Sequence, residues 1–192
     1  METNTDYLVL VNKEHQVPEN WSDSINLCSA TKSTGEEIMV EKNTLEHYYE
    51  LRKALSENGI HILLTGAYRS TEYQKQLSIR LEKKHGLQYV KDYVATPGFS
   101  EHHTGLAIDI CLLIGDRIVN QRNDLFNNKE IFAKIHKSLA DFGFILRYPE
   151  GKEKVTGYKY EPWHIRFVGK EVAKEIYHQG ITLEEYLEKV SK

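Results

Sequence analysis

The stretch Ser100-Glu101-His102-His103-Thr104-Gly105-Leu106-Ala107-Ile108-Asp109 constrains this chain more than any other. It places two histidines and a carboxylate in one short segment. Gly105 breaks the run, and the aspartate rides on an apolar stretch that continues through Ile110, Cys111, Leu112 and Leu113. A run of that length and composition reads as a buried strand. An aspartate inside it is costly to bury unless something cationic meets it. Imidazole and carboxylate together suit zinc, and a metal would supply the charge. Much of the rest of the chain reads as scaffolding for this segment.

A catalytic zinc usually has three protein ligands and one open position. His102 and Asp109 can supply two. The third candidate is His164, in Glu161-Pro162-Trp163-His164, where a carboxylate precedes an imidazole by three residues. Pro162 bars an ordinary helix interior, so this is not the helical zinc-protease arrangement. A bend into a strand would set Glu161 beside the metal, where a carboxylate can take a proton from water and return it to a leaving amine. In a regular strand Asp109 shares its face with residues an even number away, which favours His103 over His102. Thr104 and Gly105 mark a segment where the strand has not begun, so periodicity leaves the choice between the two histidines open. Arg69 follows a buried strand and the small residues Gly66 and Ala67. A guanidinium fixed there could hold an oxyanion or a substrate carboxylate; the plainer reading is a surface arginine at a helix start.

The chain has 192 residues, 40% hydrophobic and 28% charged, with 25 basic against 28 acidic side chains. This composition predicts one globular domain over residues 1–192 and no nucleic-acid surface. Cys28 and Cys111 read as small buried hydrophobes. The twelve tyrosines read as half-buried packing. The apolar run Tyr7–Val11 is too short for a membrane span or a signal-peptide core. The expected location is therefore the cytoplasm if Met1 is the native start, and otherwise the outside of the cell as a domain of an exported protein.

Along the chain, a strand is expected at 7–12 and an irregular covering segment at 13–43. A helix from Asn43, with Glu46 completing a capping box, should end at Gly59. A strand at 61–65 precedes a helix capped by Ser70 and running to about Lys84. Loops at 86–98 and 115–127 flank the motif strand. A helix to Gly143, strands at 144–148 and 161–168, and helices at 170–178 and 182–190 complete the chain, the last with Thr182 and Glu185 as a capping box. Helices and strands mix without a clean β-α-β rhythm, so the expected class is α+β with a mainly antiparallel sheet flanked by helices.

Ser100-x-His102-x-x-Gly105-x-Ala107-x-Asp109 together with Glu161-x-Trp163-His164 resembles the zinc D-Ala-D-Ala carboxypeptidase/dipeptidase family of peptidoglycan enzymes, in particular its VanY and VanXY types of vancomycin resistance and the related L,D-carboxypeptidase LdcB. Ala67-Tyr68-Arg69-Ser70, Gly143–Pro149, Tyr160–Arg166 and Gly180–Tyr186 extend the resemblance over roughly residues 7–188. It implies a hedgehog-like D,D-peptidase fold and a zinc site of His102, Asp109 and His164. It also implies Glu161 as general base and acid, Arg69 on the oxyanion, and Ser100 and Gln74 on the substrate's terminal carboxylate. The implied reaction is removal of a C-terminal D-Ala from a peptidoglycan precursor peptide, or cleavage of free D-Ala-D-Ala. Relatives usually have serine or aspartate where this chain has Gly66, and glycine where it has Ala67. Gly66 cannot pair with a dipeptide's ammonium, which favours longer peptides. The alternatives are an L,D-carboxypeptidase that trims tetrapeptide to tripeptide and a non-catalytic zinc-containing binding module. Glu161 and Arg69 speak against the module, since a structural site needs neither.

Overall fold

A computed structural model describes residues 5–191. In chain order it contains strands β1 (Leu27–Thr31) and β2 (Glu37–Glu41), helix α1 (Lys42–Glu57), strand β3 (His61–Gly66), and helices α2 (Thr71–His85) and α3 (Leu87–Tyr93). Strands β4 (Ala107–Ile114) and β5 (Arg117–Val119), helices α4 (Arg122–Asn127) and α5 (Lys129–Leu139), and strand β6 (Phe144–Leu146) follow. The short helix α6 (Glu153–Thr156), strand β7 (His164–Phe167), and helices α7 (Lys170–Gln179) and α8 (Leu183–Val190) end the chain. All strand pairs are antiparallel, as expected for the α+β class.

The main sheet runs β3-β4-β7-β6, with β5 hairpinned onto β4. Successive side chains of a strand point to opposite faces. Ile108, Ile110 and Leu112 of β4 therefore share one face, where they are fully buried in a core with Leu51 of α1 and Phe132 and Ile135 of α5. Asp109 takes the other face. A register shift between Leu64 and Gly66 lets Gly66 pair with Asp109, and on the opposite edge of β4 Asp109 pairs with His164 of β7. The bulge thus aims the motif aspartate at the junction of three strands.

Several elements differ from expectation. No strand forms at 7–12: the Tyr7 and Val9 carbonyls accept hydrogen bonds from the buried Arg166 guanidinium, so they are spent on a side chain rather than a ladder. The segment 13–43 is not irregular throughout, since β1 and β2 form a hairpin within it. Its strands are short and only half-buried, which blurs their alternation. Helix α1 is capped by Glu41, whose carboxylate accepts from the Thr44 N–H and hydroxyl, rather than by Asn43. The 86–98 loop contains α3, and the 115–127 loop contains β5 and α4. The strand expected at 161–168 begins only at His164, after a turn that carries Glu161. Ser70 caps α2 and Thr182 and Glu185 form the capping box of α8, as expected. Cys28 and Cys111 are both free. Among the described residues, no helix is long and apolar enough to cross a membrane.

Candidate active site

The cleft lies on the Asp109 side of the sheet. It has a volume of about 230 Å³, and Arg69, Gln74, Ser100, His102, Asp109, Glu161 and His164 all line it. Every site residue proposed from sequence therefore reaches one cavity. The residues come from five places: the loop after β3, the start of α2, the turn before β4, strand β4 itself, and the β7 strand with its preceding turn.

His102 sits on a single 3₁₀ turn, Glu101–Thr104, capped by Ser100, whose hydroxyl accepts from the His102 N–H. Gly105 ends the turn with φ 74°, a left-handed conformation that costs glycine little. This turn resolves the choice between the histidines. His102 Nε2 lies 3.2 Å from Asp109 Oδ2, and its Nδ1 is 2.7 Å from the Ala67 carbonyl. His103 points away: its Nδ1 meets the Arg69 carbonyl, and its Nε2 accepts from the Gly98 N–H. Strand periodicity fails here because the backbone is still in the turn.

His164 Nδ1 lies 2.9 Å from Asp109 Oδ1. One nitrogen from each of His102 and His164 and one Asp109 oxygen all fall within 4.8 Å of one another. This is a three-ligand donor set of the kind used by catalytic zinc. The other nitrogen of each ring meets an oxygen, the Ala67 carbonyl for His102 and the Glu101 carboxylate for His164, as metal-bound histidines usually require. The residues therefore fit zinc. Burial, with Arg69 nearby, lowers the His102 pKa to about 4, so this ring is neutral and able to ligate. Burial opposes ionisation of Asp109, but His102, His164 and Arg69 outweigh it and hold its carboxyl well below the usual carboxylate range.

Glu161 is 7% exposed, in the turn just before β7. Burial pushes its pKa up to about 8, into the range where a carboxyl group can both take and give a proton near neutral pH. Arg69 donates through Nη2 to Asp109 Oδ2 at 2.6 Å and through Nη1 to Gln74 Oε1 at 3.4 Å. It is therefore fixed at the site rather than a surface cap. Gln74 is 1% exposed and donates to the Ala95 carbonyl. Gly66 allows close approach: a Cβ there would stand 2.6 Å from Asp109 Oδ2.

Behind these residues lies a set of side chains that no motif marks. Glu101 sits between the motif residues, and its side chain is fully buried between Arg147 and Arg166. Its burial alone would raise the pKa; the two guanidinium groups instead hold it below the carboxylate range. Tyr148 stacks on His164 at 4.8 Å. Arg122 lies over Tyr93 at 3.0 Å and within 5.8 Å of Trp163, bracing one wall of the cleft. The usable signal is an arginine just after one apolar strand, Arg147, and another inside a second, Arg166, since buried cations need partners.

Residues 37–170 match the family described as VanY, D-alanyl-D-alanine carboxypeptidase. The bifunctional D-Ala-D-Ala dipeptidase and carboxypeptidase VanXYC of Enterococcus gallinarum is 35% identical over 93% of this chain and 92% of its own length. The chain spans 68% of the length of a Bacillus subtilis relative and 65% of that of an Enterococcus faecalis D-alanyl-D-alanine carboxypeptidase. Among solved structures, a vancomycin-resistance D,D-pentapeptidase VanY in complex with Zn(II) is 32% identical, with a TM-score of 0.77 over 94% of this chain and 98% of its own. The LD-carboxypeptidase LdcB is 35% identical, with a TM-score of 0.80 over 95% of this chain and 86% of its own. The fold is thus the one shared by these peptidases, and the match over residues 37–170 establishes that the chain belongs to the VanY family of D-alanyl-D-alanine carboxypeptidases.

Proposed function

We propose that this zinc metallopeptidase removes the C-terminal D-Ala from peptidoglycan precursor peptides. The observation that carries the reading is the meeting, in one cleft, of Glu161 and Arg69 with the His102, Asp109 and His164 donor set. A binding module would need the donor set alone. His102, Asp109 and His164 would hold the zinc ion, which would supply Lewis acidity and lower the pKa of water near neutral pH.

The chain's own groups do the rest. Glu161 takes the proton of the attacking water and delivers it to the amine nitrogen that departs. Its burial, which raises the pKa, favours the neutral carboxyl group it must hold between those two transfers. Arg69, steadied by Asp109 and Gln74, directs its guanidinium to the oxygen that becomes negative. The Ser100 hydroxyl accepts from the His102 N–H, which leaves its own hydrogen to donate to the peptide's terminal carboxylate. Gln74 commits its carbonyl oxygen to Arg69 and one amide hydrogen to Ala95. Its second amide hydrogen is available to the same carboxylate.

Gly66 presents no carboxylate to the ammonium of a free dipeptide, and space for one is lacking beside Asp109. That favours a longer peptide over D-Ala-D-Ala itself. A second reading, L,D-carboxypeptidase action, is favoured by the likeness to LdcB. A panel of zinc-loaded assays separates the two: free D-Ala-D-Ala, a pentapeptide ending in D-Ala-D-Ala, and a tetrapeptide whose terminal D-Ala follows an L-centre. D-Ala release from the pentapeptide is the expected result. Release from the tetrapeptide alone would transfer the protein to the second reading, and no release from any of the three would overturn both.

A further inference from the structure

We infer that Glu101 is a positioning residue for the metal site: its buried carboxylate accepts from Nε2–H of His164 and so reserves Nδ1 for the ion. The inference rests on His102, Asp109 and His164 being the zinc ligands. Glu101 Oε2 lies 3.4 Å from His164 Nε2, while His164 Nδ1 faces Asp109. The other carboxylate oxygen, Oε1, accepts from Arg147 Nε at 2.7 Å and from Arg166 Nη1 at 2.6 Å. Arg147 in turn makes a two-pronged pair with Glu184 of α8, at 2.8 and 2.6 Å. Arg166 also donates to the Tyr7, Val9 and Phe167 carbonyls.

Three features single out this cluster. The side chains of Glu101, Arg147 and Arg166 are completely buried, and four buried or nearly buried charges are a poor way to gain stability. Well-packed apolar side chains usually do as well or better. What such side chains could not do is hold a fixed anionic acceptor against an imidazole edge. The cluster is also neutral, two guanidinium groups against two carboxylates, so Glu101 stays ionised without leaving an uncompensated charge. In addition, the two histidines are held in opposite senses. His102 gives its Nδ1 to the Ala67 carbonyl and turns Nε2 toward Asp109, whereas His164 turns its Nε2 to Glu101 and its Nδ1 toward Asp109. Outer partners of this type set ring orientation and tautomer in metal sites.

Two measurements on the full chain test this. Long-range proton–nitrogen NMR spectra of the zinc-loaded wild-type protein should show His164 protonated at Nε2 and His102 protonated at Nδ1. A His164 ring protonated at Nδ1 would overturn the inference without any variant being made. Calorimetric zinc titration of Glu101→Gln should give a Kd raised by about 10- to 100-fold over wild type. Glu184→Gln, one hydrogen bond further out, should raise it less. A Glu101→Gln Kd within twofold of wild type would overturn the inference. Equal losses in both variants that track the melting temperatures of the metal-free proteins would also overturn it, since a merely structural cluster behaves that way. If Glu101→Gln fails to fold, the wild-type NMR result decides alone. Failure of the wild-type protein to bind zinc would strike at the ligand assignment instead, and the outcome of the peptide panel bears on neither.

Discussion

His102 and His103 are adjacent, equally buried and chemically identical, yet the fold gives them different work. His102 faces Asp109 across 3.2 Å, while His103 ties together the Arg69 carbonyl and the Gly98 N–H. His102→Ala should therefore abolish stoichiometric zinc binding. His103→Ala should keep the zinc and lose about 1–3 kcal/mol of stability, the cost of leaving buried polar groups unpaired. Metal content by mass spectrometry and melting curves of the two variants check this directly. Glu161 is not among the donor set, so Glu161→Gln should retain one equivalent of zinc while turnover falls by at least about 100-fold, the lower end of what a general base contributes. Zinc loss in that variant would make Glu161 a ligand and remove it from the proton-transfer role. The positions of these residues were legible in the chain because each metal-binding type sits beside an anomaly: an aspartate in an apolar strand, a proline before a histidine. The choice between His102 and His103 was not legible, because it depends on a single 3₁₀ turn that follows neither the helical nor the strand period. Glu101 was equally invisible, since its partners lie 46 and 65 positions away.

Elements with strong local signals formed where they were expected, and elements held by distant contacts did not. Strand β4, helix α5 and the α8 capping box carry their own patterns of burial or capping. Strand β5 was missed although its signal is present: Gly115-Asp116 forms the two-residue connection that pairs Ile114 with Arg117, a sequence type that favours hairpins. Residues 7–12 resemble a strand by composition, but Arg166 intercepts their carbonyls. The α8 start offers a graded test. Thr182→Ala removes the hydroxyl that accepts from the Glu185 N–H and should cost about 1 kcal/mol, read as a lowered melting temperature. Glu185 is bonded to Lys152 and to the Thr182 N–H, and these lower its pKa. A carboxylate with a depressed folded-state pKa adds stability above its unfolded value and loses that stability as pH falls through the folded one. Glu185→Gln should therefore shallow the acid limb of the stability–pH curve and leave its slope above neutrality unchanged. A wild-type acid limb in that variant would show that the Lys152 contact contributes nothing.

Taken whole, the molecule separates what holds it together from what it does. The main core lies between the sheet and helices α1 and α5, with Leu51, Ile62, Ile110 and Phe132 completely buried. The donor set occupies the opposite side of β4. A zinc finger depends on its ion to fold, whereas this chain has a full apolar core without using the metal side of the sheet. Stripping the zinc with a chelator should therefore abolish peptide cleavage and leave the far-ultraviolet circular dichroism unchanged. The remaining effect on stability is linkage: an ion that binds only the folded state adds about 2.7 kcal/mol at 100 times its Kd. For a chain of 192 residues that corresponds to about 5–11 °C in melting temperature at roughly 2–4 °C per kcal/mol. Adding zinc back should restore both activity and that increment, with the increment growing logarithmically as free zinc rises. Loss of helical signal on chelation would mean that the donor set, rather than the α1–α5 face, is what closes the fold. The core assignment and the metal assignment thus stand or fall on one titration followed by two signals.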